Sequence, residues 1–212
     1  DLSRFNAAPA GTWHPLPDGF FKVLSSALSW AERTGGAYDP TVGAIVDLWG
    51  FGPFHVAPGL PDGAALDAAR IASCWRSVRL DKENRRVFQP GGVRLDLCAI
   101  AKGYAVDEVV SVLRVAGVSN LLVEIGGELR GEGLKPDGSP AGLSVATSGD
   151  EQRYFEHGGR RYAHTVDPRT GFPTAHDLIS VTAVTDDCMT ADVLATVLTV
   201  LGPEEGPAFA AA

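Results

Sequence analysis

The sequence has few cysteines, no excess of basic charge and no long hydrophobic run, and each scarcity excludes a class of protein. The three cysteines, Cys74, Cys98 and Cys188, form no CxxC pair and no zinc-ligand spacing, and an odd number excludes a fully paired disulfide framework. We therefore expect them to be small apolar residues of the interior. The net charge of −8 argues against a nucleic-acid-binding protein, which needs a basic face.

Membrane-spanning sequence is also missing, since no apolar run approaches the roughly 18 residues of a transmembrane helix. No signal peptide is recognisable either. What remains is an ordinary globular composition over 212 residues, 45% hydrophobic and 21% charged. This length suits one domain or two small ones and is enough to bury a full core.

Apolar periodicity predicts both helices and strands. Helical spacing predicts helices over 20–33, 64–72, 101–116 and 190–201, and a short helix that ends at 48. Strands are predicted over 77–80, 86–89, 93–97, 120–125, 143–147, 162–166 and 178–185. Strands follow one another in groups, with helices between the groups. This order predicts an α+β fold with mixed or antiparallel sheets and packed helices, rather than a strict βαβ alternation.

The segment 95–107 reads as a strand end, a tight turn and a helix with Lys102 in its first turn. A cation there faces the positive end of the helix dipole, so a phosphate or Asp96 is expected to offset the cost. Gly103 would let a ligand or another backbone approach closely. Other interpretations stay open: Lys102 as a solvated lysine, and Asp96 as a helix cap or as a hydrogen-bond acceptor for a ligand's ring or ribose.

A second segment, 189–196, opens a helix that places Asp192 and Thr196 on one face. Two oxygen ligands are too few for a dedicated metal cage, but they suffice for Mg²⁺ if phosphate oxygens and a backbone carbonyl complete the shell. Since a helix N-terminus attracts phosphate, the two segments together predict a phosphate-bearing ligand held with magnesium. The alternatives are a favourable acid in a first helical turn and a half-buried helical threonine.

His164 lies where a predicted strand runs into an Asp-Pro-x-x-Gly turn at 167–171. Two interpretations are open for it, a general base and a hydrogen-bonded histidine at a sheet edge, and local sequence favours the second. Another strand end carries small polar residues at 147–150, which we expect to line a pocket with hydroxyls and backbone amides.

Taken in order, these segments resemble the FAD:protein FMN transferase, or ApbE, family. The resemblance rests on DPTVG (39–43) with LWGFG (48–52), LDL (95–97), AKGYAVD (101–107), GGEL (126–129), ATSGD (146–150), HTVDP (164–168) and MTADVLAT (189–196). It covers residues 2–202. It implies an α+β fold that binds FAD with Mg²⁺, and an enzyme that splits the FAD pyrophosphate, moves FMN onto a Thr or Ser hydroxyl of a target flavoprotein and releases AMP.

The resemblance also implies roles for individual residues. The flavin site would be lined by Ala37, Tyr38 and Asp39, and FAD would further contact Asp96, Lys102 and Val166. The implied metal ligands are Asp192, Thr196, the carbonyl of Ala99, and Ala195 in a similar way. His164 matches the position of the base that deprotonates the acceptor hydroxyl, which suits a hydroxyl nucleophile that is weak on its own.

The extent and setting of the protein are expectations of the same kind. We expect a single domain over 1–212, with the family's N- and C-terminal parts missing and a gap near 140–141, where the stretch 136–143 is short. The alternatives to FMN transfer are Mg²⁺-dependent FAD hydrolysis to FMN and AMP, and FAD binding without catalysis. The resemblance points to the bacterial periplasm or the periplasmic face of the inner membrane, with the cytoplasm as the alternative.

Overall fold

The computed structural model describes residues 1–53, 57–150 and 153–211. Over these residues the helices are α1 (Leu2–Asn6), α2 (Asp18–Arg33), α3 (Gly43–Leu48), α4 (Gly63–Ala72), α5 (Ala101–Val115) and α6 (Cys188–Ala210). The strands are β1 (Thr12–Pro15), β2 (Arg79–Asp81), β3 (Arg86–Gln89), β4 (Leu121–Ile125), β5 (Glu128–Glu132), β6 (Ser144–Gly149), β7 (Tyr154–His157), β8 (Arg160–Ala163), β9 (Val166–Asp167), β10 (Phe172–Pro173) and β11 (Ser180–Thr185). Within the described ranges, no helix combines the length and the apolar character that a membrane crossing requires.

The chain divides into two compact units. Unit one comprises Asp1–Leu97 and Asp150–Ala175, and unit two comprises Cys98–Gly149 and His176–Ala212. All the sheets of both units are antiparallel, with helices grouped between strand groups, so the predicted α+β class is confirmed. That residues 1–212 act as a single domain stays a prediction.

Unit one contains a three-stranded sheet in the order β1–β3–β2 and a second core around Trp49. The Trp49 side chain is fully buried, and its indole N–H donates to the Gly171 carbonyl at 2.9 Å. Its ring stacks on Tyr162 with a centroid separation of 5.6 Å. Val166 packs into the same core, so the turn that carries His164 is tied to a rigid aromatic cluster.

The segment 93–97 is not the strand that its apolar residues predict. Gly91 and Gly92, both with positive φ, turn the chain after β3. Arg94 then forms an isolated β-bridge to Val42, and the Asp96 N–H donates to the Pro40 carbonyl at 2.8 Å. The segment therefore lies beside a turn. The turn provides isolated carbonyl groups but not the regular hydrogen-bond ladder that a strand needs.

The strand predicted over 162–166 is divided in the structure. β8 ends at Ala163 and pairs with β7, which the sequence analysis missed, while β9 begins at Val166 and pairs with β10. His164 lies in the two-residue gap between these strands. The imidazole therefore lies where the chain bends between two pairs of strands.

Unit two contains a four-stranded sheet in the order β11–β6–β5–β4, with α5 and α6 packed against it. Apolar periodicity does not indicate a strand at β5, because its charged residues are typical of a polar loop. In the structure the Arg130 guanidinium donates to Asp107 at 2.5 Å and to Glu132 at 2.8 Å, which neutralises the charges on this strand. α6 is interrupted at Gly202 (φ 70°, ψ −170°), the position where the sequence predicts its end.

Gly103 is the residue that lets α5 and α6 approach each other. A Cβ added at this position would lie 2.2 Å from the Cys188 carbonyl oxygen, far inside van der Waals contact. The Asp107 carboxylate, one turn further along α5, accepts the N–H groups of Cys188 and Met189 at 2.9 Å each. The two helix N-termini of unit two are thereby held together, which positions the residues described next.

Candidate functional site

Asp192 is a buried carboxylate in the first turns of α6. Its side chain is held by the Gly103 N–H, which donates to Oδ2 at 2.9 Å, and only 3% of the residue is exposed. Burial raises the pKa of Asp192 to about 6, against the lowering effects of the Gly103 N–H and the Lys102 ammonium; the Glu128 carboxylate adds to the rise. A cation at this carboxylate would relieve the cost of burying its charge.

Thr196 follows Asp192 one helical turn later, as predicted, and its hydroxyl lies 2.9 Å from the hydroxyl of Ser148 on β6. Ala195 is buried, and its carbonyl already accepts the Thr199 hydroxyl at 2.8 Å. Ala99 lies in the turn directly before α5. The role of each of these residues as a metal ligand stays a prediction, and the geometry supports Thr196 more strongly than Ala195.

Lys102 is not a lone solvated lysine. Its ammonium forms an ion pair with Glu128 at the start of β5, whose side chain is 2% exposed. The second oxygen of Glu128, Oε2, is buried and has no hydrogen-bond partner among the residues that the structure describes. No local pattern predicts this role for Glu128, because Gly126 and Gly127 indicate only a turn; a carboxylate directly after that turn was the available signal.

These residues fit a hard divalent cation. The donor set is all oxygen: a buried carboxylate, a hydroxyl one turn later, and backbone carbonyls. Within the described part of the chain, no group of three His, Cys, Asp or Glu side chains could hold a metal by itself. A magnesium ion here would therefore depend on oxygens of the bound ligand, as the sequence analysis expects.

In unit one, the segment from Ala37 to Asp39 is buried directly after Gly35 and Gly36, which have positive φ. The Asp39 carboxylate accepts the Thr41 N–H at 2.8 Å and the Thr41 hydroxyl at 2.6 Å, and burial raises its pKa. This carboxylate is therefore committed to shaping the turn. Tyr38 is also buried, and its N–H donates to the Thr34 hydroxyl at 3.1 Å.

Asp96 lies beside this turn through its backbone bond to Pro40. The interpretation of Asp96 as a helix cap is wrong, since α5 begins after Ile100 and its N-cap makes no side-chain hydrogen bond. The structure thus brings Asp96 together with the 37–39 segment, while Val166 lies in the Trp49 core. Their contacts with FAD stay predictions.

His164 has a carboxylate beside it. Its Nδ1 lies 3.6 Å from Oδ1 of Asp150, and its ring meets Phe51 edge-on at a centroid separation of 6.3 Å. The Asp150 side chain also accepts the Thr165 hydroxyl at 2.8 Å. Asp150 was predicted only as part of a pocket-lining segment. Fourteen residues separate it from His164, so no local pattern indicates this pair.

The comparisons with known proteins agree on one family. The model of the ApbE family matches residues 1–144 and 141–212. A protein of Vibrio cholerae serotype O1 named FAD:protein FMN transferase is 37% identical over 233 residues, which cover 100% of this chain and 70% of that protein. A Haemophilus influenzae protein of the same name is 35% identical and is covered over 67% of its length.

A solved structure gives the same result. The apo form of the Pseudomonas stutzeri flavinyl transferase ApbE superposes with a TM-score of 0.91 at 40% identity, over 99% of this chain and 71% of that one. The family, fold class and transferase class predicted from the sequence are thereby confirmed. The chain belongs to the ApbE family, whose named relatives are flavin transferases.

Proposed function

We propose that the protein transfers FMN from FAD to a Thr or Ser hydroxyl of a target protein, with Mg²⁺, and releases AMP. The observation that carries this proposal is the geometry of Asp192. Its carboxylate is buried, held by the Gly103 N–H at 2.9 Å, and lies one helical turn before the Thr196 hydroxyl. A buried acid with an all-oxygen neighbourhood at a helix start suits a metal-bound pyrophosphate.

In this mechanism Asp192 and Thr196 would hold the magnesium ion, with the Ala99 carbonyl as a further ligand. Bound Mg²⁺ supplies charge neutralisation for the pyrophosphate and its leaving group. The Lys102 ammonium, 43% exposed on its side chain, would donate to a phosphate oxygen while Glu128 keeps it at the start of α5. Phosphoryl-type transfer depends mainly on such positioning and electrostatic stabilisation.

The acceptor hydroxyl needs a base because it is a weak nucleophile. His164 would take its proton as the hydroxyl oxygen bonds to the phosphorus of the FMN half. The bond from that phosphorus to the bridging oxygen breaks, and the oxygen leaves with AMP. The products are a phosphodiester-linked FMN, AMP and one proton, which returns from His164 to solvent.

One incubation tests the function. The protein is mixed with FAD, Mg²⁺ and a Thr-bearing acceptor protein, and the products are followed by mass spectrometry and AMP release. The proposal expects an acceptor mass increased by FMN, with one AMP released for each transfer and none in the presence of EDTA. Free FMN and AMP with an unmodified acceptor would instead identify a hydrolase, and unchanged FAD would identify a binding protein.

Placement in the bacterial periplasm or at the periplasmic face of the inner membrane is a proposal that follows from the family. Fractionation of cells that express the natural gene, with antibody detection of the protein, tests it. Recovery of the protein with cytoplasmic markers would favour the cytoplasm, which is the alternative location.

A further inference from the structure

The carboxylate of Asp150 is hydrogen-bonded to the turn that carries His164. It follows β6 and its side chain is 14% exposed. Oδ1 accepts the Thr165 hydroxyl at 2.8 Å and lies 3.6 Å from His164 Nδ1, and Oδ2 lies 3.4 Å from the Thr174 hydroxyl. Two threonine hydroxyls from either side of the turn thus fix the carboxylate in front of one nitrogen of the imidazole.

We infer that Asp150 is the positioning residue for His164, an inference that rests on the proposed role of His164 as the base. An acceptor beside Nδ1 favours the tautomer with its hydrogen on Nδ1, and this leaves Nε2 as the nitrogen that accepts a proton. The negative charge also stabilises the imidazolium that forms when the acceptor hydroxyl is deprotonated. The separation of 3.6 Å exceeds a hydrogen bond, and such pairs commonly tighten when substrate binds.

The acid within this turn, Asp167, is committed elsewhere. Asp167 accepts Arg169 Nε on Oδ1 at 3.0 Å and Arg169 Nη2 on Oδ2 at 3.0 Å, and its Oδ1 also accepts the Arg169 N–H at 2.9 Å. Both of its oxygens are therefore used to shape the Asp-Pro-x-x-Gly turn. Asp167 lies in the turn that carries His164 but has different partners from Asp150, which makes it the matched control.

The proton balance of the step assigns each residue one task. Nε2 of His164 takes the proton from the acceptor hydroxyl while the new P–O bond forms and the bond to the AMP oxygen breaks. Asp150 gives and takes no proton. It holds the Nδ1 hydrogen before the step and faces the positive imidazolium after it, so removing its charge should affect the transfer and leave FAD binding intact.

The test compares Asp150→Asn, Asp150→Glu, Asp167→Asn and His164→Ala in full-length protein, with FAD and an acceptor protein. Asp150→Asn keeps the side-chain shape, so we expect kcat to fall about 10²-fold with KM for FAD and the melting temperature near wild type. Asp150→Glu should recover part of kcat, and Asp167→Asn should stay near the wild-type kcat. Long-range ¹H–¹⁵N spectra should show the His164 hydrogen on Nδ1 in the wild type and a mixture of tautomers in Asp150→Asn.

Three results would overturn the inference. The first is a wild-type kcat in Asp150→Asn. The second is a joint loss of kcat, FAD affinity and melting temperature in that variant without a change of tautomer, which is the signature of a structural residue. The third is an unimpaired His164→Ala, which removes the base itself and with it the proposed mechanism. If His164→Ala is inactive while Asp150→Asn is fully active, only the inferred role of Asp150 is overturned and His164 stays the proposed base.

Discussion

Lys102 and Glu128 form an ion pair whose two members differ sharply in exposure: the lysine side chain is 43% exposed and the glutamate side chain 2%. The carboxylate depends on its partner much more than the ammonium does, because an unpaired charge is costly only where water is excluded. The pair also offsets the unfavourable position of a cation in the first turn of α5.

This asymmetry predicts the order of stability among variants of the pair. Lys102→Ala leaves a buried carboxylate without its cation and should lower the free energy of unfolding by on the order of 2 kcal/mol. Glu128→Gln leaves a solvated ammonium and should cost less. The double variant Lys102→Ala/Glu128→Gln should regain stability relative to Lys102→Ala in urea unfolding. Equal losses of unfolding free energy in both single variants would show that the buried Glu128 does not depend on its partner more than Lys102 does.

The same double variant separates ligand binding from folding. Because it restores the fold without restoring the ammonium, it should bind FAD about 10-fold more weakly than wild type, the effect of one charge-assisted hydrogen bond. Riboflavin, which has no phosphate, should bind as it does to wild type. Titration of FAD, FMN and riboflavin by fluorescence measures all three. A matching loss for riboflavin would show that Lys102 does not contact phosphate.

Asp192→Asn should remove metal-dependent turnover. The substitution keeps an acceptor for the Gly103 N–H but removes the negative charge that would hold Mg²⁺, so we expect transfer to fall on the order of 10³-fold at limiting Mg²⁺. Asp186→Asn, in the exposed turn before α6, is the control and should stay near wild type. Near-normal rates for Asp192→Asn would show that the metal lies elsewhere.

Without metal, Asp192 should make stability depend on pH. Its pKa is raised from 3.8 in the unfolded chain to about 6 in the native state. The stabilisation is therefore complete below pH 3.8 and is lost as pH rises through about 6, on the order of 3 kcal/mol in all. Urea unfolding in EDTA between pH 4 and 7 measures this slope, and Asp192→Asn should flatten it. An equal slope in both proteins would assign it to other groups.

Gly103→Ala should disrupt the start of both helices in unit two. The added Cβ would lie 2.2 Å from the backbone oxygen of Cys188, a contact that is relieved only if α5 and α6 move apart. We expect a loss of about 3 kcal/mol in stability together with Mg²⁺-dependent activity. Gly63→Ala, at the start of α4 where a Cβ meets nothing within 4 Å, is the control and should be neutral or slightly stabilising. A well-folded, active Gly103→Ala would show that the helix crossing does not matter.

The sequence alone was sufficient for the family and for the helices other than α1, which was missed. α2, α4 and α5 were predicted with ends within two residues, because a buried helix face repeats every three to four residues along the chain itself. The segments around Lys102, Asp192 and His164 identified the family in the same local way, since each is a short run whose residue types and order can be read directly.

Strand pairing was harder to read. β5 and β7 were missed although each pairs with a neighbouring strand across a two-residue glycine turn, and the predicted strand at 93–97 does not form. Arg130 is accommodated in β5 because Asp107 of α5 and Glu132 of the same strand accept its guanidinium N–H groups. Residues 93–97 have the composition of a strand, but their neighbour is a turn.

Only the tertiary structure decided which charges meet. Glu128 lies 26 residues from Lys102, and Asp150 lies 14 residues from His164. A carboxylate in a sequence gives its charge but neither its burial nor its partner, and both of these depend on how the strands and helices pack. Burial also sets how strongly such a charge acts, since an ion pair gains or loses several-fold in strength between water and the interior. Local sequence therefore identifies the types of residue that do the chemistry, and the fold determines which of these residues pair.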